Sequence, residues 1–206
     1  MTTVRPYGGV SAEDRAALRR DKLLSAGLAV FGSSGYRSAT VRQICRTAGV
    51  ADRYFYEHFT GMEDLLVAVY GMCLDRLETA VVAAISASDQ IATMARQGLE
   101  GLVGVTGDDP RLARVVWFEV LGVSRRVEDT YLHRMERFAD ILLASAPELD
   151  DTAAELRASI ASAAVGGISH VLMTWVASGC VRPRSQIVAA LEIFLISVVD
   201  GVRADR

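Results

Sequence analysis

Between Ala51 and Phe59 the chain reads ADRYFYEHF, and four of its side chains, Arg53, Tyr54, Tyr56 and His58, are hydrogen-bond donors. Tyrosine hydroxyls and an imidazole nitrogen can donate to phosphate oxygens, and a guanidinium can fork onto the O6 and N7 of guanine in the major groove. A small core needs only Phe55 and Phe59, which their spacing of four sets on one side of a helix. Arg53, Tyr54, Tyr56, Glu57 and His58 are left on the other side. This aromatic, donor-rich face suits DNA.

The preceding residues supply a support for that face. Thr40 is a candidate cap for a helix in which Val41, Ile44, Cys45 and Ala48 share one side, and Gly49 closes it. Val50 pins the turn, and Asp52 is a candidate cap for a second short helix. Two helices joined in this way read as a helix-turn-helix.

Other residues that could do chemistry are explained more simply. The pairs Asp108, Asp109 and Asp150, Asp151 do not extend into a DDxxD pattern, and each sits where a helix is predicted to start. His58, His133 and His170 show no metal-ligand spacing, and Cys45, Cys73 and Cys180 are far apart and odd in number. Serine-hydrolase, zinc-protease and phosphate-loop signatures are absent. The expectation is a protein that is not an enzyme, with no cofactor, no metal and thiols suited to a reducing cytoplasm.

Composition bounds the remainder. The 206 residues are 51% hydrophobic, enough for a substantial core, and the formal net charge of −3 gives no global basic excess. Residues 1–60 nevertheless carry nine basic and five acidic side chains, whereas the rest of the chain is net acidic. Between Arg157 and Arg182 lie 24 residues without formal charge, but serines, glycines and His170 interrupt them. Such a run reads as a helix packed on protein and not as a membrane span. Helical periodicity recurs throughout, and Pro110, Pro147 and Pro183 punctuate it. These signals predict an all-α chain of about nine helices.

The stretch TVRQICRTAGVADRYFYEHFTGMEDLL, preceded by LLSAGLAVFGSSGY, resembles the N-terminal domain of the TetR (tetracycline-repressor-like) family of transcriptional regulators. The resemblance implies that Thr40, Tyr56 and His58 grip phosphates, that Asp52, Arg53 and Tyr54 read bases, and that Arg42 adds a backbone contact. It departs from the family pattern at Ala51, where a capping Ser or Thr is usual, at Arg53, often a Gly, and at Met62, commonly a Lys.

The resemblance further divides the chain into a three-helix DNA-binding part followed by a larger helical part: it implies that residues 1–66 form an N-terminal arm and DNA-binding domain, and residues 67–206 an effector-binding and dimerisation domain. Aromatic and soft residues of the second part are the candidate effector contacts: Met94, Trp117, Phe118, Tyr131, Met135, Phe138, His170, Met173 and Trp175. By the same resemblance the last two helices pair subunits. Gly166 and Gly167 would allow close helix approach, and Ile187, Leu191, Phe194, Leu195 and Val198 would form an apolar stripe. The implied function is a cytoplasmic homodimeric repressor that binds a palindromic double-stranded DNA operator and is released by a largely apolar small molecule, with no membrane partner. The competing reading is a helical carrier or enzyme with a vestigial helix-turn-helix.

Overall fold

The computed structural model describes residues 11–86, 90–146 and 153–204. Pro147, the pair Asp150 and Asp151, and the expected N-terminal arm lie outside the described residues. Among those residues the secondary structure is helical and includes nine α-helices. The chain divides into two compact units between Val69 and Tyr70. That division falls inside a helix, where no change of composition could mark it, slightly beyond the expected boundary at residue 66.

The first unit begins with α1 (Ala12–Ser34), started by a reciprocal cap in which the Asp14 N–H donates to Ser11 Oγ at 2.9 Å and the Ser11 N–H donates to Asp14 Oδ2 at 3.2 Å. A short 3-10 turn, Tyr36–Ser38, leads into α2 (Val41–Ala48). Thr40 caps α2 by accepting from the Gln43 N–H at 3.2 Å. Gly49 ends it at φ 64, the left-handed region in which a Cβ would be strained. α3 (Asp52–Phe55) follows, and α4 (Met62–Ile85) supplies its first two turns to this unit. Leu23, Phe31, Ile44, Phe55, Leu65 and Leu66 form the buried centre. α1 meets α4 closely there, since a Cβ on Gly27 would stand 2.7 Å from the Val69 side chain.

The second unit contains the rest of α4 with α5 (Ile91–Asp108), α6 (Pro110–Arg114), α7 (Arg125–Ala144), α8 (Ala154–Ala177) and α9 (Arg184–Ala204). Val115–Glu119, between α6 and α7, is wound as a π-helix. α5 crosses α4 at backbone distance, because a Cβ on Gly101 would lie 2.9 Å from the Ala80 carbonyl oxygen. Arg134 and Arg137 of α7 pair with Asp75 and Glu78 of α4. The hydrogen bond from Arg137 outweighs partial burial and holds the Glu78 carboxyl below its ordinary pKa. Asp109 caps α6 through the N–H groups of Arg111 and Leu112 and pairs with Arg76 and Arg111, while Asp108 pairs with Arg184. The acidic pair at 108 and 109 is thus occupied by capping and ion pairing.

Cys45 and Cys73 are buried, and Cys180 is partly exposed. Burial first, and then Asp52, whose carboxylate accepts from the thiol, push the Cys45 pKa up to about 11. Burial pushes Cys73 up to about 12. The thiolate is the reactive form, so alkylation of the folded protein at neutral pH is expected to label Cys180 far faster than the other two. Mass spectrometry of a time course checks this. Comparable early labelling of Cys45 or Cys73 would contradict their sealed placement.

Candidate nucleic-acid interface and apolar cavity

The donor-rich face is built on a very short helix. α3 is a single turn, and its cap position is Ala51, which gives no side-chain cap; Asp52, the expected cap, is instead its first helical residue. Phe55 is fully buried and Phe59 nearly so, with ring centroids 5.7 Å apart. Tyr56 and His58 therefore lie in the turn beyond α3 and not on the helix itself. Tyr56 is 64% exposed and leaves its hydroxyl accessible. His58 is half-buried, and its Nε2 is shielded from solvent without a hydrogen-bond partner. As placed in the single chain, this nitrogen is not accessible for the expected phosphate contact.

Arg53 and Asp52 are exposed at the start of α3, and Tyr54 is half-buried beside them. The Arg53 Nη2 donates to the Tyr54 hydroxyl at 2.8 Å, and its guanidinium carbon lies 4.6 Å from the Tyr54 ring centroid. Thr40 and Arg42 are exposed at the start of α2. Thr40 uses an oxygen lone pair in its cap, and its hydroxyl proton remains able to donate. The turn thus brings together Thr40, Arg42, Asp52, Arg53, Tyr54 and Tyr56, but not His58 Nε2.

The second unit contains a partly open cavity of about 450 Å³ between α4, α5, the π-helix, α7, α8 and α9. Met94, Trp117, Tyr131, Met135, Phe138, His170 and Met173 line it. Phe118 and Trp175 do not. Phe118 follows Trp117 around the π-turn and is 40% exposed. Trp175 is 1% exposed, and its Nε1 donates to the Arg182 carbonyl at 2.9 Å, closing the link from α8 to α9. The aliphatic wall, including Leu77, Leu99, Leu102, Ile141 and Leu172, carries no sequence signal that separates it from ordinary core.

The lining contains no Asp, Glu, Lys or Arg. Trp117 donates its Nε1 to the Ser169 carbonyl at 2.7 Å, and Ser169 Oγ donates to Met135 Sδ at 3.9 Å. Two polar side chains are thus engaged within the wall. A carboxylate or ammonium placed deep inside would lack an oppositely charged partner. Apolar matter fits. Among the described residues no three His, Cys, Asp or Glu side chains converge as a metal site.

The expected α9 stripe belongs largely to the interior. Ile187 and Leu191 are buried within the chain, and Leu195 and Val198 line the cavity. A Cβ on Gly167 would touch the Phe194 ring of its own chain at 3.4 Å, whereas Gly166 is exposed with open space around it. Exposed residues of these helices include Ser162, Ala163 and Gly166 of α8 and Ala189, Ala190, Ile193 and Ser197 of α9, and Phe194 of the expected stripe is also 37% exposed. Both helices are long and apolar enough to cross a membrane by composition, with mean hydropathies of 1.5 and 1.8, yet only 33% and 22% of these windows are buried inside the chain. Their outer faces are apolar and uncovered.

An exposed recognition turn on one unit and a neutral cavity in the other have the form of a helix-turn-helix protein with a ligand-sized chamber. The profile described as "Bacterial regulatory proteins, tetR family" matches residues 23–69. The chain is 34% identical over 89 residues to the HTH-type transcriptional regulator BetI of Rhizobium meliloti, covering 43% of this chain and 42% of that protein. It is 27% identical over 103 residues to the fatty acid metabolism regulator protein of Bacillus subtilis, covering 48% of this chain and 51% of the relative. The chain thus spans about half the length of the curated relatives it matches. The solved structure of the transcriptional regulator FadR from Bacillus subtilis in complex with stearoyl-CoA superposes with a TM-score of 0.75 at 18% identity, covering 86% of this chain and 98% of that one. That of FadR from Bacillus halodurans also reaches 0.75, at 18% identity, over 90% and 96%. Residues 23–69 thus match the tetR family of bacterial regulatory proteins, and the fold of the chain is that of these solved regulators.

Proposed function

We propose that this protein is a cytoplasmic one-component transcriptional repressor and not an enzyme. Residues 1–66 would form its DNA-binding part and residues 67–206 its effector-binding and dimerisation part. The coexistence in one chain of the Arg53, Tyr54 and Tyr56 surface with a cavity free of charged lining carries this reading. The functional unit is a homodimer on a palindromic double-stranded DNA operator, because one chain offers one recognition turn and two half-sites need two. The outer faces of α8 and α9 support the pairing, and no membrane partner is invoked.

The effector is a small molecule whose buried portion is neutral and largely apolar. A long acyl chain suits the cavity, and the stearoyl-CoA held by the similar Bacillus subtilis regulator favours that class. Release follows from a population shift: the ligand lowers operator affinity by the factor by which it prefers the DNA-incompetent conformer. Fluorescence anisotropy tests the reading on a duplex selected by the protein from a randomised library. Affinity is expected to fall linearly with salt on logarithmic axes, and stearoyl-CoA, the probe for acyl effectors, is expected to reverse binding. A salt-independent or sequence-indifferent interaction removes the regulator reading.

Two substitutions should separate backbone from base contacts. Tyr56→Phe removes one hydroxyl and is expected to weaken all operator variants alike by about 1 kcal/mol. Arg53→Ala is expected to relax preference at one symmetric position per half-site, with a loss of about 1–3 kcal/mol on the preferred sequence. A panel of single-base variants distinguishes these patterns. An unchanged preference profile in Arg53→Ala ends its base-reading assignment.

A further inference from the structure

The outer side chains of α3 need support that the helix itself does not provide. A four-residue turn without a side-chain cap is a weak local structure, because isolated helical turns are costly to nucleate. Support arrives from α1. The Arg19 guanidinium carbon lies 4.5 Å from the centroid of the Tyr54 ring, and its Nη2 stands 3.5 Å from Glu57 Oε2. The same ring lies 4.6 Å from the Arg53 guanidinium carbon, and its hydroxyl accepts from Arg53. Tyr54 is therefore a shared surface between a residue of α1 and the candidate base reader.

The exposure of Arg19 separates this role from an ordinary phosphate contact. Its side chain is 26% exposed, but its Nε is shielded from solvent and has no hydrogen-bond partner. A phosphate cannot use that atom without moving the side chain from the ring. Planar stacking on an aromatic face is a property of arginine that lysine shares poorly, whereas either residue can oppose Glu57.

We propose that Arg19 is a positioning residue for base selection: by holding Tyr54 it fixes the direction in which Arg53 presents its fork to the major groove. This rests on the DNA-binding reading above. It also gives a consequence to Ala51, since the missing cap leaves α3 dependent on the contact from α1.

The test applies the full-length protein, Arg19→Ala and Arg19→Lys to the same randomised duplex library and then to single-base variants of the selected duplex. Both substitutions are expected to lower discrimination at the positions altered by Arg53→Ala by roughly fivefold or more, with less than about twofold change on unselected duplex. Arg19→Lys keeps the charge opposite Glu57 and decides the matter if Arg19→Ala does not fold. Introducing Ala51→Ser into the Arg19→Lys protein is expected to recover part of the lost discrimination by restoring the cap. A uniform loss on every duplex would overturn the proposal by making Arg19 a backbone contact. An unchanged profile for Arg19→Lys beside an altered one for Arg53→Ala would overturn it while leaving the DNA reading intact. If the unsubstituted protein selects no sequence, that reading fails and the proposal falls with it.

Discussion

With aspartate in place of Ile193, the protein is expected to remain folded but to sediment as a monomer and lose at least about a hundredfold in affinity for a two-half-site duplex. Ile193 is 68% exposed in the single chain, so a polar replacement disturbs little of its own packing. In a two-fold contact each substitution acts twice, placing two carboxylates in an apolar seam between α8 and α9 of both subunits. Burying unpaired charge costs several kcal/mol, and about 2.7 kcal/mol already corresponds to a hundredfold. Sedimentation, thermal melting and anisotropy on one preparation separate assembly from folding. A folded dimer with full operator affinity would move the subunit contact away from this face. Gly167→Leu is a poorer test, because its side chain would press on Phe194 of the same chain.

Trp117→Ala is expected to destabilise the second unit by about 3–5 kcal/mol, the range for deleting a buried large aromatic. The indole is 8% exposed and joins the π-helix to α8 through the Ser169 carbonyl. Trp117→Phe keeps most of the ring volume and loses the hydrogen bond, a change expected to cost about 1 kcal/mol. Chemical denaturation measures both. At saturating folded protein, Trp117→Phe should retain operator affinity and shift the concentration of stearoyl-CoA that releases DNA. Parallel loss of folding and DNA binding, with no separate effect on release, would leave the indole as core alone.

The turn from Thr40 to Phe59 was legible because its determinants are local. A cap, a left-handed glycine and two phenylalanines four apart are all contained in one short segment. The length of α3 was harder to read, since the same pattern continues through Glu57 and His58 after the helix has ended. Seven aromatic, histidine and methionine candidates reach the cavity, yet Trp117 and Trp175 have similar sequence surroundings and opposite fates. Which apolar side chain borders empty space depends on helices distant in sequence. In α9 apolar residues occur on more than one face, so periodicity could not decide whether Leu191 or Ile193 points inward. The structure turns Leu191 inward.

The π-helix at Val115–Glu119 has a consequence for insertions and deletions. Such a turn accommodates an extra residue within otherwise helical winding, so the direction of Trp117 relative to Leu112 depends on how many residues separate the flanking helices. Rewinding the segment as an α-helix at unchanged length would swing the following side chains by about 100°, and only the removal of one residue would bring them back. The wall would be turned even with every side chain retained. Chain length is therefore a determinant of this wall in its own right, and a substitution scan, which keeps the length fixed, would never sample it.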